Sequence, residues 1–281
     1  MNGKACLVTG ATHGIGLVTA RALAAAGALV LVHGRSATLA AAVAAHIART
    51  CGTQAVRAVQ ADFTRLAEVR RLAAELIAST PRIDVLINNA AVMGATRART
   101  AEGYDVTFGV NHLAPFLLTN LLLAKLSESA PARVIVVASE AHRRARLDFG
   151  DLMNERVGFF DAYSRSKLAN LLFARVLAAR LAGSGVTVNA VHPGLVASHL
   201  FHRCPLALRL VLATVARPFM RSPEQGARTS VYLASAPELE GRSGGYYRDC
   251  RPLAPSEAAQ SDADAARLWE ESARLTELMA A

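Results

Sequence analysis

Cysteine is scarce in this 281-residue chain: Cys6, Cys51, Cys204 and Cys250 stand far apart and form no C-x-x-C pair. That spacing excludes a disulfide framework and a zinc site, so no metal is expected, and small buried thiols in a reducing compartment are the simpler reading. No uninterrupted apolar run approaches the roughly 20 residues that span a bilayer, and "MNGKACLVTG" runs straight into a strand with no room for a signal peptide. The expectation is a cytoplasmic protein with no integral membrane segment. Acidic residues are in deficit, 22 Asp+Glu against 31 Lys+Arg, for a net charge of +9. The arginines are scattered and no basic block reaches the length of a tail, which favours local anion sites over a nucleic-acid partner. Linkers, repeats and low-complexity stretches are also lacking. With 52% hydrophobic and 19% charged residues, disorder is excluded and a large core is available.

What is present is a regular alternation. Short apolar runs, "ACLVTG", "ALVLVHG", "QAVRAVQADF", "IDVLINNA", "RVIVVAS" and "GVTVNAVHPG", are separated by longer alanine-rich helical stretches. The strand-like runs are nearly continuous in apolar character, as expected where helices cover both faces of a sheet. Helix stops fall near Gly27, Gly52 and Pro81. The repeated strand–helix–strand order predicts an α/β fold: a Rossmann-type, doubly wound parallel sheet in three α/β/α layers, forming a single domain over residues 1–281. In such sheets ligands bind beyond the carboxyl ends of the strands.

The first strand ends in "LVTGATHGIG", with glycines spaced G-x-x-x-G-x-G. Glycines permit a tight turn and close backbone approach, and the following helix N-terminus offers N–H groups to a pyrophosphate. Gly10, Thr12, His13, Gly14, Ile15 and Gly16 are therefore candidate cofactor-binding residues. The second strand ends in "LVLVHGRS". Gly34 stands where an acid would bind the ribose hydroxyl of NAD, and Arg35 follows, which suits the 2′-phosphate of NADP through a charge-assisted contact. The cofactor expectation is NADP(H). His13 either donates to a phosphate or merely accommodates the turn. Asp62, after the third strand, is placed to meet the adenine, its neighbour Phe63 is a further cofactor-binding candidate, and Asn89 and Ala90 of "INNAA" are placed to line the cleft.

"YSRSK" sets Tyr163 and Lys167 four residues apart, on one face of a helix. A phenol ionises near pH ~10, and a neighbouring ammonium favours the phenolate, which would let Tyr163 exchange a proton with a carbonyl or alcohol. Such pairs arise by chance on exposed helices, but this one has company. Ser139 closes "RVIVVAS", 24 residues before Tyr163, in position to bind a substrate oxygen. Asn111 lies among apolar neighbours in "FGVNHLAPF", where it would kink a helix or hold a water.

On these residues, "TGATHGIG", "NNAA", Asn111, Ser139, Tyr163/Lys167 and "HPG" (His192–Gly194), the chain resembles the short-chain dehydrogenase/reductase family in its compact single-domain branch. "NNAA" departs from the family's usual NNAG. The resemblance implies that Tyr163 is the acid/base, that Lys167 binds the nicotinamide ribose and tunes Tyr163, that Ser139 polarises the carbonyl and that Asn111 supports a proton-relay water. It also sets the "HPG" turn, with Pro193 and Gly194, beside the nicotinamide, and Val196 is a further cofactor-binding candidate. "VNHLAPFLLTNLLL" and "EQGARTSVYLASAPELEGRSGGYYRDC" are similar to the retinol dehydrogenase and protochlorophyllide reductase-like group, whose members often use NADP(H) on hydrophobic carbonyls or alcohols.

The expected activity is hydride transfer between NADPH and the carbonyl or alcohol carbon of a small, hydrophobic substrate. Two alternatives stand beside it: an NADP-dependent alcohol dehydrogenase working mainly toward oxidation, and a non-catalytic NADP-binding regulator. Relatives suggest a homo-dimer or homo-tetramer. The family's variable lid falls at about 195–223, either a greasy cover for a lipophilic substrate that touches membranes, or an amphipathic helix packed on the body or on a dimer partner. Residues 140–160 form the other wall.

Overall fold

The computed structural model describes residues 1–94, 98–196 and 220–278. Eight strands lie in one sheet in the order β3-β2-β1-β4-β5-β6-β7-β8. They are β1 (Ala5–Val8), β2 (Leu29–Gly34), β3 (Val56–Gln60), β4 (Val85–Asn88), β5 (Ala132–Val137), β6 (Val186–Val191), β7 (Tyr246–Arg248) and β8 (Arg251–Pro252). Every pairing is parallel except the terminal β7–β8 hairpin. Strand order reverses between β1 and β4, and that switch point opens a crevice beyond the strand ends.

The apolar continuity of the strands has a direct structural cause. Successive side chains of a strand point to opposite faces, and here both faces are covered. Leu7, Leu31, Leu86, Val134 and Val136 enter one core. Their neighbours Val8, Val30, Val32, Ile87, Ile135 and Val137 enter the other. The first layer holds α3 (Leu66–Ser79), α5 (Ala114–Leu121) and the 22-residue α7 (Phe159–Arg180), and α9 (Asp262–Leu275) closes against α7. The second holds α1 (Gly14–Ala25), α2 (Ala37–Cys51) and α8 (Pro223–Ser235). Between β4 and α5, α4 (Val106–Phe108) runs into a π-helical turn, Gly109–Leu113, and α6 (Leu123–Glu128) leads into β5.

Local signals act as the sequence suggests. Ser36 caps α2 by accepting from the Leu39 N–H, and Gly52 ends it in the left-handed region. Ser222 and Gln225 form a reciprocal capping box at the start of α8. At the opposite end of the sheet from the crevice, buried Asp84 accepts from Arg82, Lys4 and the Ala5 N–H. Burial pushes its carboxyl up, but those donors more than offset this and hold it below the usual range. Among the described residues no helix is long and apolar enough to cross a membrane.

Candidate active site

The first strand delivers the glycine loop onto β4. Thr9 accepts at Oγ1 from the N–H groups of Asn89 (2.9 Å) and Ala90 (3.0 Å), and Asn89 Nδ2 donates back to the Thr9 carbonyl at 2.8 Å. Gly10 has φ +62°, and a Cβ there would lie 2.8 Å from Ala90 Cα. At Gly16 a Cβ would meet Asn89 Nδ2 at 2.5 Å. The loop is thus tight enough to require these glycines, and Asn89 contributes by buttressing it. His13, at the N-cap of α1, makes no side-chain capping hydrogen bond, and the first turn carries no acid, a setting that suits an anion at this helix end. His13 takes the extended cap position, with Nδ1 2.9 Å from Thr12 Oγ1.

A histidine that the sequence reading passed over holds this loop from behind. His33, buried on β2, accepts at Nδ1 from the Gly10 N–H (3.1 Å) and so donates from Nε2 to the Ala61 carbonyl (3.0 Å). One imidazole therefore ties together the ends of β1, β2 and β3. The visible signal was a lone polar residue in an otherwise apolar strand. Phe63 stacks on it with ring centroids 4.4 Å apart. The Phe63 ring thus belongs to the core. Asp62 spends Oδ1 on the Thr64 N–H and hydroxyl, so it is both a turn former and a candidate contact.

At Gly34 a Cβ would meet the Thr12 methyl at 2.5 Å. Thr12 therefore occupies the space in which an acidic side chain at position 34 would start. Arg35 is exposed and makes no side-chain hydrogen bond or ion pair to other described residues. Only its carbonyl is engaged, by Gln60 Nε2 at 3.1 Å.

The catalytic candidates converge at the ends of β4 and β5. Tyr163 and Lys167 share the buried face of α7, and Lys167 Nζ lies 5.6 Å from the Tyr163 ring centroid. Lys167 donates to the Val137 carbonyl at 2.9 Å, as does Asn170 at 3.3 Å. Met93, Ala141 and Phe159 pack against Tyr163. This apolar setting reverses the titration expected from spacing alone. Burial pushes the Tyr163 phenol up to about 12 against a smaller opposing pull from the Ser139 hydroxyl. It pushes the Lys167 ammonium down to about 7.

Asn111 sits in the π-helical turn, a local widening frequent at functional sites. Its amide donates to the Val92 carbonyl (2.9 Å) and Ser166 Oγ (3.0 Å), and Oδ1 accepts from the Val92 N–H at 2.7 Å. Both amide hydrogens are committed, so this side chain acts as a brace between β4 and α7. Ser166 passes the brace to the Tyr163 carbonyl at 2.7 Å.

After β6, Gly194 turns at φ +89°, and a Cβ there would meet Arg221 Cδ at 2.5 Å. Val196 bridges to Arg221, which pairs with Asp249. A Cβ on Gly226 would meet Val196 at 2.6 Å and Ile15 at 3.2 Å, so these two candidate residues approach each other across α8. Glu140 lies beside His192, at 3.9 Å, and Arg248, at 3.7 Å. Most of the expected lid, residues 197–219, lies outside the described residues.

Burial pushes the imidazoles of His33, His112 and His192 down to about 4 from an ordinary 6.5. Below 6.5 the unfolded chain binds protons that the native one refuses, so this contribution is complete above 6.5 and is lost as pH falls toward 4. Thermal melts should show Tm falling by roughly 5 °C or more over that interval. A His33→Asn variant should lose less over the same interval, and a flat wild-type profile would contradict the buried neutral imidazoles.

The profile of the short chain dehydrogenase family matches residues 4–206. Human retinol dehydrogenase 14 is 41% identical over 96% of this chain and 85% of its own. A crystal structure of an uncharacterized protein from Mycobacterium paratuberculosis is 34% identical, with a TM-score of 0.78 over 98% of this chain and 94% of its own. The Pseudomonas aeruginosa RhlG/NADP active-site complex is 28% identical, with a TM-score of 0.70 over 88% of this chain and 94% of its own.

Proposed function

The chain belongs to the short-chain dehydrogenase family and to its retinol dehydrogenase-like group; from that premise we propose that it is an NADP(H)-dependent reductase of apolar carbonyl compounds, reversible as an alcohol dehydrogenase. The observation that carries the reading is Tyr163, a buried phenol that stays protonated at neutral pH beside Ser139 and Lys167. When bound, the cofactor supplies the hydride. Tyr163 gives its proton to the carbonyl oxygen, and Ser139 donates a hydrogen bond to the same oxygen. Lys167, whose ammonium burial brings down to about 7, is anchored on the Val137 carbonyl and adds positive charge behind the phenol in its protonated form. Because the Asn111 amide hydrogens are spent, a relay water would be held by that residue's main chain or its remaining Oδ1 lone pair.

The residues fit a phosphorylated dinucleotide. Gly10, Thr12, His13, Gly14, Ile15 and Gly16 would cradle the pyrophosphate, and Arg35 the 2′-phosphate. Asp62 and the Phe63 main chain would face the adenine, and Ala90, Pro193, Gly194 and Val196 the nicotinamide side, with Asn89 bracing the loop. The space taken by Thr12 at Gly34 supports NADP over NAD, as does the NADP in the RhlG complex. Met93, Ala141 and Phe159 around Tyr163 favour an apolar substrate. The three described cysteines carry no disulfide, which suits a reducing, cytoplasmic setting.

The test is NADPH consumption over aldehydes and ketones of rising chain length, with NADH in parallel. Turnover should require NADPH and improve with chain length until the cleft is filled. A preference for NADH, or for short polar carbonyls, would overturn the corresponding half of the proposal.

A further inference from the structure

A further buried imidazole, His142, bears on Ser139. It lies in the short 3-10 turn Glu140–Arg144 that follows β5, fully buried. The Ser139 carbonyl accepts from the His142 main-chain N–H at 3.1 Å and lies 2.7 Å from Nδ1 of the same residue. On the far side of the ring, Nε2 accepts from the Ser256 N–H at 3.0 Å. Because a backbone N–H only donates, Nε2 must carry the lone pair, which leaves the proton on Nδ1 to donate to Ser139. Tyr246 packs edge-on at 5.4 Å and fixes the plane of the ring. Burial pushes this imidazole down, consistent with a neutral tautomer. Ser139 Oγ, for its part, accepts from the Ala141 N–H at 3.2 Å in the same turn. One residue thus grips the serine's carbonyl twice, and its ring is fastened to a segment more than a hundred positions away.

We propose that His142 is a positioning residue for the reaction: clamped by the Ser256 N–H, its ring holds the Ser139 carbonyl and so fixes the serine hydroxyl beside Tyr163. The inference rests on the role given to Ser139 above. Two variants separate the bonds. His142→Asn keeps an amide N–H near the place of Nδ1 but does not reach Ser256. His142→Gln keeps an acceptor near the place of Nε2 but loses the donor to Ser139.

The experiment is a double-mutant cycle on the full chain, read as kcat and as KM for NADPH. His142→Gln should lower kcat roughly tenfold or more with KM for NADPH unchanged, and His142→Asn should restore part of the loss. In a Ser139→Ala background the same substitution should cost nothing further, because the group it positions is gone. An equal loss in both backgrounds, or wild-type kcat in both His142 variants, overturns the proposal. If His142→Gln does not fold, His142→Asn carries the same cycle. If Ser139→Ala alone leaves kcat unchanged, the role of Ser139 fails first and the inference falls with it, a result distinct from an additive cycle.

Discussion

Replacing Tyr163 by Phe should lower carbonyl turnover by ~10²- to 10⁴-fold, the usual worth of a positioned proton donor. NADPH affinity and Tm should stay near wild type, because the phenyl ring keeps its packing against Met93, Ala141 and Phe159. The size of the effect follows from the setting. Tyr163 is buried, at 8% exposure, so solvent is poorly placed to protonate the nascent alkoxide in its stead. Single-turnover rates with saturating NADPH, beside a cofactor titration, provide the check. Unchanged turnover in Tyr163→Phe would remove Tyr163 as the acid and leave the non-catalytic NADP-binding reading in its place.

The second large effect concerns the choice of cofactor. Arg35→Ala should raise KM for NADPH by ~10- to 100-fold, the range of one or two charge-assisted hydrogen bonds at 1.5–3 kcal/mol. KM for NADH should move little, since that cofactor lacks the 2′-phosphate that Arg35 would bind. The neighbouring glycine sets a further expectation. Gly34→Asp alone should not produce an efficient NAD enzyme, because its Cβ would start 2.5 Å from the Thr12 methyl. A parallel kinetic titration with both cofactors reads the two variants. An unaltered ratio in Arg35→Ala would show that this arginine does not recognise the phosphate.

Much of this was legible in the sequence because it depends on local pattern. Alternate residues of β1, β2, β4 and β5 feed two different cores, so continuous apolar runs were the correct sign of a doubly covered sheet. Gly52 ended its helix in the left-handed conformation that the residue type implies. Tyr163 and Lys167 share a helix face because four positions make about one turn. The remainder depended on packing over long sequence separations. Nothing in "YSRSK" discloses that Lys167 spends a bond on Val137, or that burial raises the phenol despite the nearby ammonium.

The same limit hid other features. Asn111 was read as a kink or a water holder, and it lies in a π-helical turn as a brace to Val92 and Ser166. Phe63 is a cofactor-binding candidate by sequence, and its ring stacks on His33 in the core. His33 and His142 went unremarked because their partners, Gly10, Ala61 and Ser256, become neighbours only in the fold.

The most direct test of the central claim follows the hydride itself. The 281-residue chain is incubated with NADPH deuterated at the transferred position and with a long-chain aldehyde, and the products are read by mass spectrometry. The account predicts one deuterium on the carbinol carbon of the alcohol, formed in step with oxidised cofactor and largely lost in Tyr163→Phe. Tight NADPH binding with no deuterated alcohol from any carbonyl of the panel, and no reduced cofactor from the matching alcohols, would contradict it.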